Sequence, residues 1–143
     1  MIILGIESSC DETAVSICKG GKILSNIVSS QQIHNDYGGV VPEVAAREHD
    51  RLLNHLIIKS LDEANISLND LNGIGVTKGP GLAGTLLTGV SFAKGLSQSI
   101  NIPIIGINHL EAHIYANFLA YPKLKYPLVC LLVSGGHTQI WYI

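Results

Sequence analysis

The sequence predicts an α/β domain with a mixed sheet in the order βββαβαβα, followed by the opening strands of a second domain. Three observations predict it. Three short apolar runs joined by brief polar turns open the chain. Two long segments of helical periodicity then alternate with short apolar strands. Last, the stretch 128–143 repeats the opening: apolar strand, small polar turn, second strand.

Ile2 to Ile6 reads as a buried strand and Ala14 to Cys18 as a second, with the turn Glu7-Ser8-Ser9-Cys10-Asp11-Glu12-Thr13 between them. Lys19-Gly20-Gly21-Lys22 forms a tight hairpin loop, and a third strand runs from Ile23 to Ser29. The first turn gathers three carboxylates and several hydroxyls. A solvated loop is its plain reading. Against that, Glu7 stands at the end of an apolar strand, where a carboxylate is costly without a partner or a task.

Gln31 to Val41 reads as a loop with Gly38-Gly39. Pro42 suits the first position of a helix. Leu52, Leu53, Leu56, Ile57 and Leu61 recur at helical spacing, which predicts an amphipathic helix over roughly 42–64. His49 and His55 read as ordinary helix residues, and His34 as a loop residue.

Gly73 to Thr77 forms the next strand. Lys78-Gly79-Pro80-Gly81 turns the chain into a helix over about 82–99, with Leu86, Leu87, Val90, Ala93 and Leu96 on one side. That turn admits two readings, a cradle of backbone amides for an anion or simply a tight turn. It is neither a Walker loop nor a Gly-x-Gly-x-x-Gly fingerprint. Gly84, Gly89 and Gly95 each cost their helix roughly 1 kcal/mol relative to Ala, so close packing of backbone on the sheet is the expected return.

A strand at 104–107 and a helix at 108–120 complete the first domain, 1–120. The segment 121–127, with two prolines, reads as a linker. Leu128 to Ser134 and Thr138 to Ile143 flank the Gly135-Gly136 turn and form the beginning of the second domain, 128–143. A hairpin alone is barely stable, so more of that domain is expected to follow.

The chemistry concentrates in His109-Leu110-Glu111-Ala112-His113. Histidines four apart lie one turn apart on one helix face, where two imidazoles can share a metal ion. Asn108 fits the N-cap and Glu111 the third helical position, as in a capping box. The pair sits where a strand passes into a helix, the usual place for sites in α/β proteins. Two surface or core histidines are the plain alternative. Two ligands do not close a site, so at least one more must come from elsewhere. A zinc protease is disfavoured by spacing. In His-Glu-x-x-His the Glu adjoins the first His, whereas Glu111 lies about 200° round the helix from each imidazole.

Composition bounds the classes. Apolar residues make up 47% of the 143 and charged ones 14%, which excludes a disordered chain. The net charge of −2 gives no basic excess to announce a nucleic-acid partner. Cys10, Cys18 and Cys130 are odd in number and show no Cys-x-x-Cys, which fits a reducing cytoplasm. No apolar run approaches the roughly 20 residues of a membrane span, so no membrane partner is expected.

Five motifs in order resemble one family: Leu4-Gly5-Ile6-Glu7-Ser8-Ser9-Cys10-Asp11-Glu12-Thr13, Tyr37-Gly38-Gly39-Val40-Val41-Pro42-Glu43, Lys78-Gly79-Pro80-Gly81-Leu82, His109-Leu110-Glu111-Ala112-His113 and Leu132-Val133-Ser134-Gly135-Gly136-His137-Thr138. They resemble the TsaD family, the tRNA threonylcarbamoyladenosine transferases once labelled glycoproteases. The resemblance implies the actin/Hsp70/sugar-kinase (ASKHA, ribonuclease H-like) fold, in which two hairpin turns grip a nucleotide from opposite sides of a cleft. It implies transfer of a threonylcarbamoyl group from threonylcarbamoyl-AMP to N6 of adenosine 37 in tRNAs reading codons that begin with A.

By the same resemblance, His109 and His113 hold one Fe2+, or Zn2+, with a third ligand, an aspartate, outside this chain. Leu132, Val133, Ser134, Gly135, Gly136 and His137 bind the adenylate. Asp11 and Glu12 are the candidate catalytic residues. The implied partners are tRNA, a TsaB-like paralogue and a TsaE-like ATPase. Family chains are about twice as long, so this chain alone is expected to be inactive. A non-catalytic scaffold that binds a family partner is the alternative, and it would have no need of the histidine pair.

Overall fold

The computed structural model describes residues 1–133 and 138–143. The chain divides into two compact units, Met1–His109 and Leu110–Ile143.

The first unit is built on one five-stranded sheet. β1 (Ile2–Glu7), β2 (Glu12–Lys19) and β3 (Lys22–Ser30) form an antiparallel meander. The β2–β3 turn falls on Gly20 and Gly21, both at positive φ, a conformation that glycine adopts without a side-chain penalty. β4 (Gly73–Gly79) lies parallel to β1, and β5 (Ile104–Asn108) parallel to β4. The order β3-β2-β1-β4-β5 is the mixed sheet expected from the sequence.

α1 (Pro42–Ala64) and α2 (Ala83–Ile100) connect the strands. Pro42 opens α1, and Asn65 closes it in the left-handed conformation. The stripe Leu53, Leu56, Ile57 and Leu61 is buried, as its spacing requires. It packs with Leu4, Ile6, Val15, Ile17, Ile74, Val76 and Ala93 into one core. Ser25 Oγ and Ser60 Oγ stand 2.7 Å apart inside it and satisfy each other, tying β3 to α1.

The structure differs from the sequence reading at three points in this unit. Gln31 to Val41 is not all loop, because Gln32–Tyr37 form a short 3₁₀ helix. Its buried His34 bonds Gln31 Oε1 at 2.9 Å, a local contact that apolar periodicity does not register. β4 also runs past Thr77, through Lys78 to Gly79. Of the three helix glycines only Gly89 meets the close approach expected of all three. A Cβ there would lie 2.1 Å from Ser8 Oγ, whereas at Gly84 it would touch Ala46 of α1 at 3.5 Å and at Gly95 nothing within 4 Å.

β5 runs straight into α3 (His109–Ala120), whose first residue belongs to the first unit. In the second unit β6 (Val129–Val133) and β7 (Thr138–Tyr142) form an antiparallel hairpin, with Cys130 opposite Trp141. The Phe118 and Tyr126 rings stand 5.1 Å apart, and Glu111, Ile114, Tyr115, Tyr126, Trp141 and Ile143 line a cavity of about 410 Å³. Among the described residues no helix is long and apolar enough to cross a membrane.

Candidate functional site

β1, β4 and β5 are parallel, so their carboxyl ends share one edge of the sheet. Such edges collect sites because the chain leaves each strand there and turns away. Glu7 ends β1. Thr77 stands near the end of β4, paired with Ile107 of β5, and β5 ends at Asn108, next to His109. Topology thus assembles Glu7, Thr77 and His109 from positions up to 102 residues apart.

Glu7 is the hub. Its Oε1 accepts the Ser9 backbone N–H at 2.6 Å, and its Oε2 accepts the Thr77 hydroxyl. His109 Nδ1 lies 3.3 Å from the same Oε2 and 3.3 Å from Ser9 Oγ. Burial by itself would push the Glu7 carboxyl up. Hydrogen bonds from Ser9 and Thr77, with a smaller contribution from the charge of His109, outweigh that and hold it below its ordinary value. Both side chains keep about a third of their surface, 30% for Glu7 and 27% for His109.

The turn after Glu7 is clamped from beneath. Ser8 is fully buried and its hydroxyl donates to the Thr85 carbonyl at 3.0 Å. The Leu82 N–H donates to the Ser9 carbonyl at 2.8 Å. A Cβ on Gly81 would stand 2.5 Å from that carbonyl oxygen. The Lys78-Gly79-Pro80-Gly81 turn presses against Ser9 at Gly81, where no side chain holds the two backbones apart.

From the other side His49 braces the turn. It is fully buried on α1, with Nδ1 2.8 Å from Thr13 Oγ1 and Nε2 3.0 Å from the Cys10 carbonyl. A carbonyl only accepts, so Nε2 carries the proton and the Thr13 hydroxyl donates to Nδ1. Burial holds the imidazole below its usual pKa, although the Cys10 carbonyl and nearby carboxylates pull the other way. The unfolded chain takes up this proton near pH 6.5, and the folded chain only at lower pH. The contribution of His49 to stability is therefore fully present above about pH 6.5 and is lost as the pH drops below it. Urea midpoints at pH 7.5 and 5.5 are expected to differ less in a His49→Gln variant than in the wild type; an equal difference would contradict the bracing role.

Asp11 is half-buried, and its carbonyl accepts the Gln31 N–H at 3.0 Å. Glu12 is exposed and accepts the Ser30 hydroxyl at 3.0 Å. The carboxylate that meets His109 is that of Glu7, neither of these two. The Cys10 thiol is pushed up by partial burial and by Asp11, which leaves it protonated and a poor nucleophile. His113 is the fifth residue of α3 and is exposed. Leu132 and Val133 lie on β6, opposite Gln139 and Thr138. Ser134, Gly135, Gly136 and His137 lie outside the described residues. Among the described residues no group of three or more His, Cys, Asp or Glu forms a metal cluster.

Sequence reasoning missed Thr77, Ser9 and His49. A hydroxyl at the end of an apolar strand was the signal for Thr77. Nothing in the sequence marks His49, whose partners lie 36 and 39 positions away.

A model of the TsaD family, described as tRNA N6-adenosine threonylcarbamoyltransferase, matches residues 22–143. The tRNA N6-adenosine threonylcarbamoyltransferase of Thermosipho melanesiensis is 58% identical over 144 residues, covering 100% of this chain and 44% of its own length. That of Fusobacterium nucleatum is 57% identical over 145 residues, covering 100% of this chain and 42% of its own. The chain therefore spans less than half the length of the curated relatives it matches. Among solved structures, YeaZ from Pseudomonas aeruginosa superposes with a TM-score of 0.66 at 15% identity, over 98% of this chain and 64% of that one. RuvC of T. thermophilus, in complex with a Holliday junction substrate, superposes at 0.51 with 12% identity, over 80% and 68%. These two likenesses are of fold alone, and the fold is the ribonuclease H-like α/β architecture.

Proposed function

The chain belongs to the TsaD family of tRNA N6-adenosine threonylcarbamoyltransferases, and from that premise we propose that it supplies the metal-bearing lobe of an acyltransferase acting on tRNA. The donor is threonylcarbamoyl-AMP and the acceptor is N6 of adenosine 37. The amine attacks the carbamoyl carbonyl, a C–N bond forms, the C–O bond to phosphate breaks, and AMP leaves with the electron pair.

The observation that carries this reading is the seating of His109 against the β1–β2 turn, at the carboxyl edge of the parallel strands. His109 and His113, one turn apart on α3, would hold an iron or zinc ion. A carboxylate on the Nδ1 side of a ligating imidazole suits that role. When bound, such an ion supplies Lewis acidity that polarises or orients the carbonyl.

The remaining roles belong to the chain's own groups. An exocyclic adenine amine is a weak nucleophile, so holding it in line with the carbonyl matters, and a nearby base must take its proton. Asp11 or Glu12 is assigned that proton. Leu132, Val133 and the Ser134-Gly135-Gly136-His137 turn are assigned the adenylate, with backbone amides steadying the departing phosphate. A TsaB-like paralogue and a TsaE-like ATPase complete the assembly, in the cytoplasm. Leu87, exposed on α2, offers apolar surface to the first of them.

The test is direct. Full-length protein containing this chain, with its partners and Fe2+ or Zn2+, is given labelled threonylcarbamoyl-AMP and unmodified tRNA. Label is expected at adenosine 37. Label released only as free threonine, with none on tRNA, would overturn the transferase reading.

A further inference from the structure

Resting on that metal reading, we propose that Glu7 is a positioning residue, whose carboxylate fixes the His109 ring with its proton on Nδ1 and so reserves the Nε2 lone pair for the metal ion.

An ionised carboxylate has lone pairs only. Its contact with His109 Nδ1, at 3.3 Å, is a hydrogen bond only if that nitrogen carries the proton. Ser9 Oγ, at the same distance, accepts from the same N–H and does not oppose this choice. With the proton on Nδ1, the lone pair of the ring is on Nε2.

Glu7 is also the fixed partner of the two. Its Oε1 is held by the Ser9 amide at 2.6 Å and its Oε2 by the Thr77 hydroxyl. Ser9 is itself fixed through its carbonyl by Leu82. The carboxylate is thus set by the first turn and β4, and His109 meets it there. A carboxylate behind an imidazole raises its basicity as a ligand and fixes its tautomer and orientation, an effect of about 10- to 100-fold in metal affinity.

The Glu7→Gln variant makes the idea sharp. The Ser9 N–H is an obligate donor, so the amide oxygen must take the Oε1 place. The amide NH₂ then faces His109 and donates to Nδ1, which drives the ring proton to Nε2, the wrong nitrogen for binding.

Long-range proton–nitrogen correlation spectra of the metal-free, full-length protein read the tautomer, with His109 assigned by its disappearance in His109→Gln. The wild type is expected to carry the proton on Nδ1 and Glu7→Gln on Nε2. Calorimetric titration with Zn2+ alone is expected to show affinity falling by about 10- to 100-fold in Glu7→Gln. If Zn2+ binding is lost in His109→Ala yet unchanged in Glu7→Gln, the inference fails while the metal reading stands. If Zn2+ binds His109→Ala as well as wild type, the metal reading fails and takes the inference with it. Should Glu7→Gln not fold, the wild-type tautomer decides alone: a proton on Nε2 overturns the proposal.

Discussion

Replacing His109 by alanine is expected to lower threonylcarbamoyl transfer by the full-length protein on the order of a hundredfold or more, with the fold intact. The two halves of that expectation have separate physical grounds. Activity falls because the substitution removes one of the two imidazoles on α3 assigned to the metal. Stability survives because the side chain, 27% exposed, is no part of the apolar core, and Glu7 keeps its bonds to Ser9 and Thr77 without it. The metal bound per chain, measured by plasma emission, should fall together with transfer. Full activity in a metal-depleted His109→Ala protein would remove the ion from the reaction.

Gly81→Ala is expected to destabilise the first unit by about 2–3 kcal/mol. The new Cβ would stand 2.5 Å from the Ser9 carbonyl oxygen, 2.8 Å from its Cβ and 3.0 Å from its Cα. Ser9 cannot yield cheaply, since its N–H is bound to Glu7 and its carbonyl to Leu82. One of the two turns must move, and the Leu82 bond breaks. The stiffer unfolded chain returns only about 0.4–1 kcal/mol.

Gly89→Ala supplies the contrast. Its Cβ would meet Ser8 Oγ at 2.1 Å, but a hydroxyl can rotate, and alanine favours the helix by about 1 kcal/mol. Its net cost should be smaller. Urea unfolding followed by circular dichroism ranks the two. Trp141, the only tryptophan, lies in the second unit, so the ellipticity of α1 and α2 is the better probe. A Gly81→Ala midpoint equal to wild type would mean that the turn is free to shift.

Both predictions concern residues that the sequence pointed out for different reasons. The histidine pair was visible because a helix repeats every 3.6 residues and a strand end precedes it. Gly81 was visible only as a turn. What it presses against is set by Ser9, more than seventy positions earlier, and no local pattern carries that information. The same holds for Thr77 and His49. Each is polar, each is buried, and each finds its partner in an element that only the sheet order brings near.

The sequence by itself determined the elements and the layer they form. Periodicity of two or 3.6 decides which faces are apolar, and Gly20, Gly21, Pro42 and Asn65 stop or start elements through their own backbone preferences. The family, too, was legible in five short motifs. Only the tertiary structure decided which carboxylate meets His109. Hydrogen bonds act over about 3 Å in space, irrespective of distance along the chain, and the parallel pairing of β1, β4 and β5 is what brings Glu7, rather than Asp11 or Glu12, within that reach.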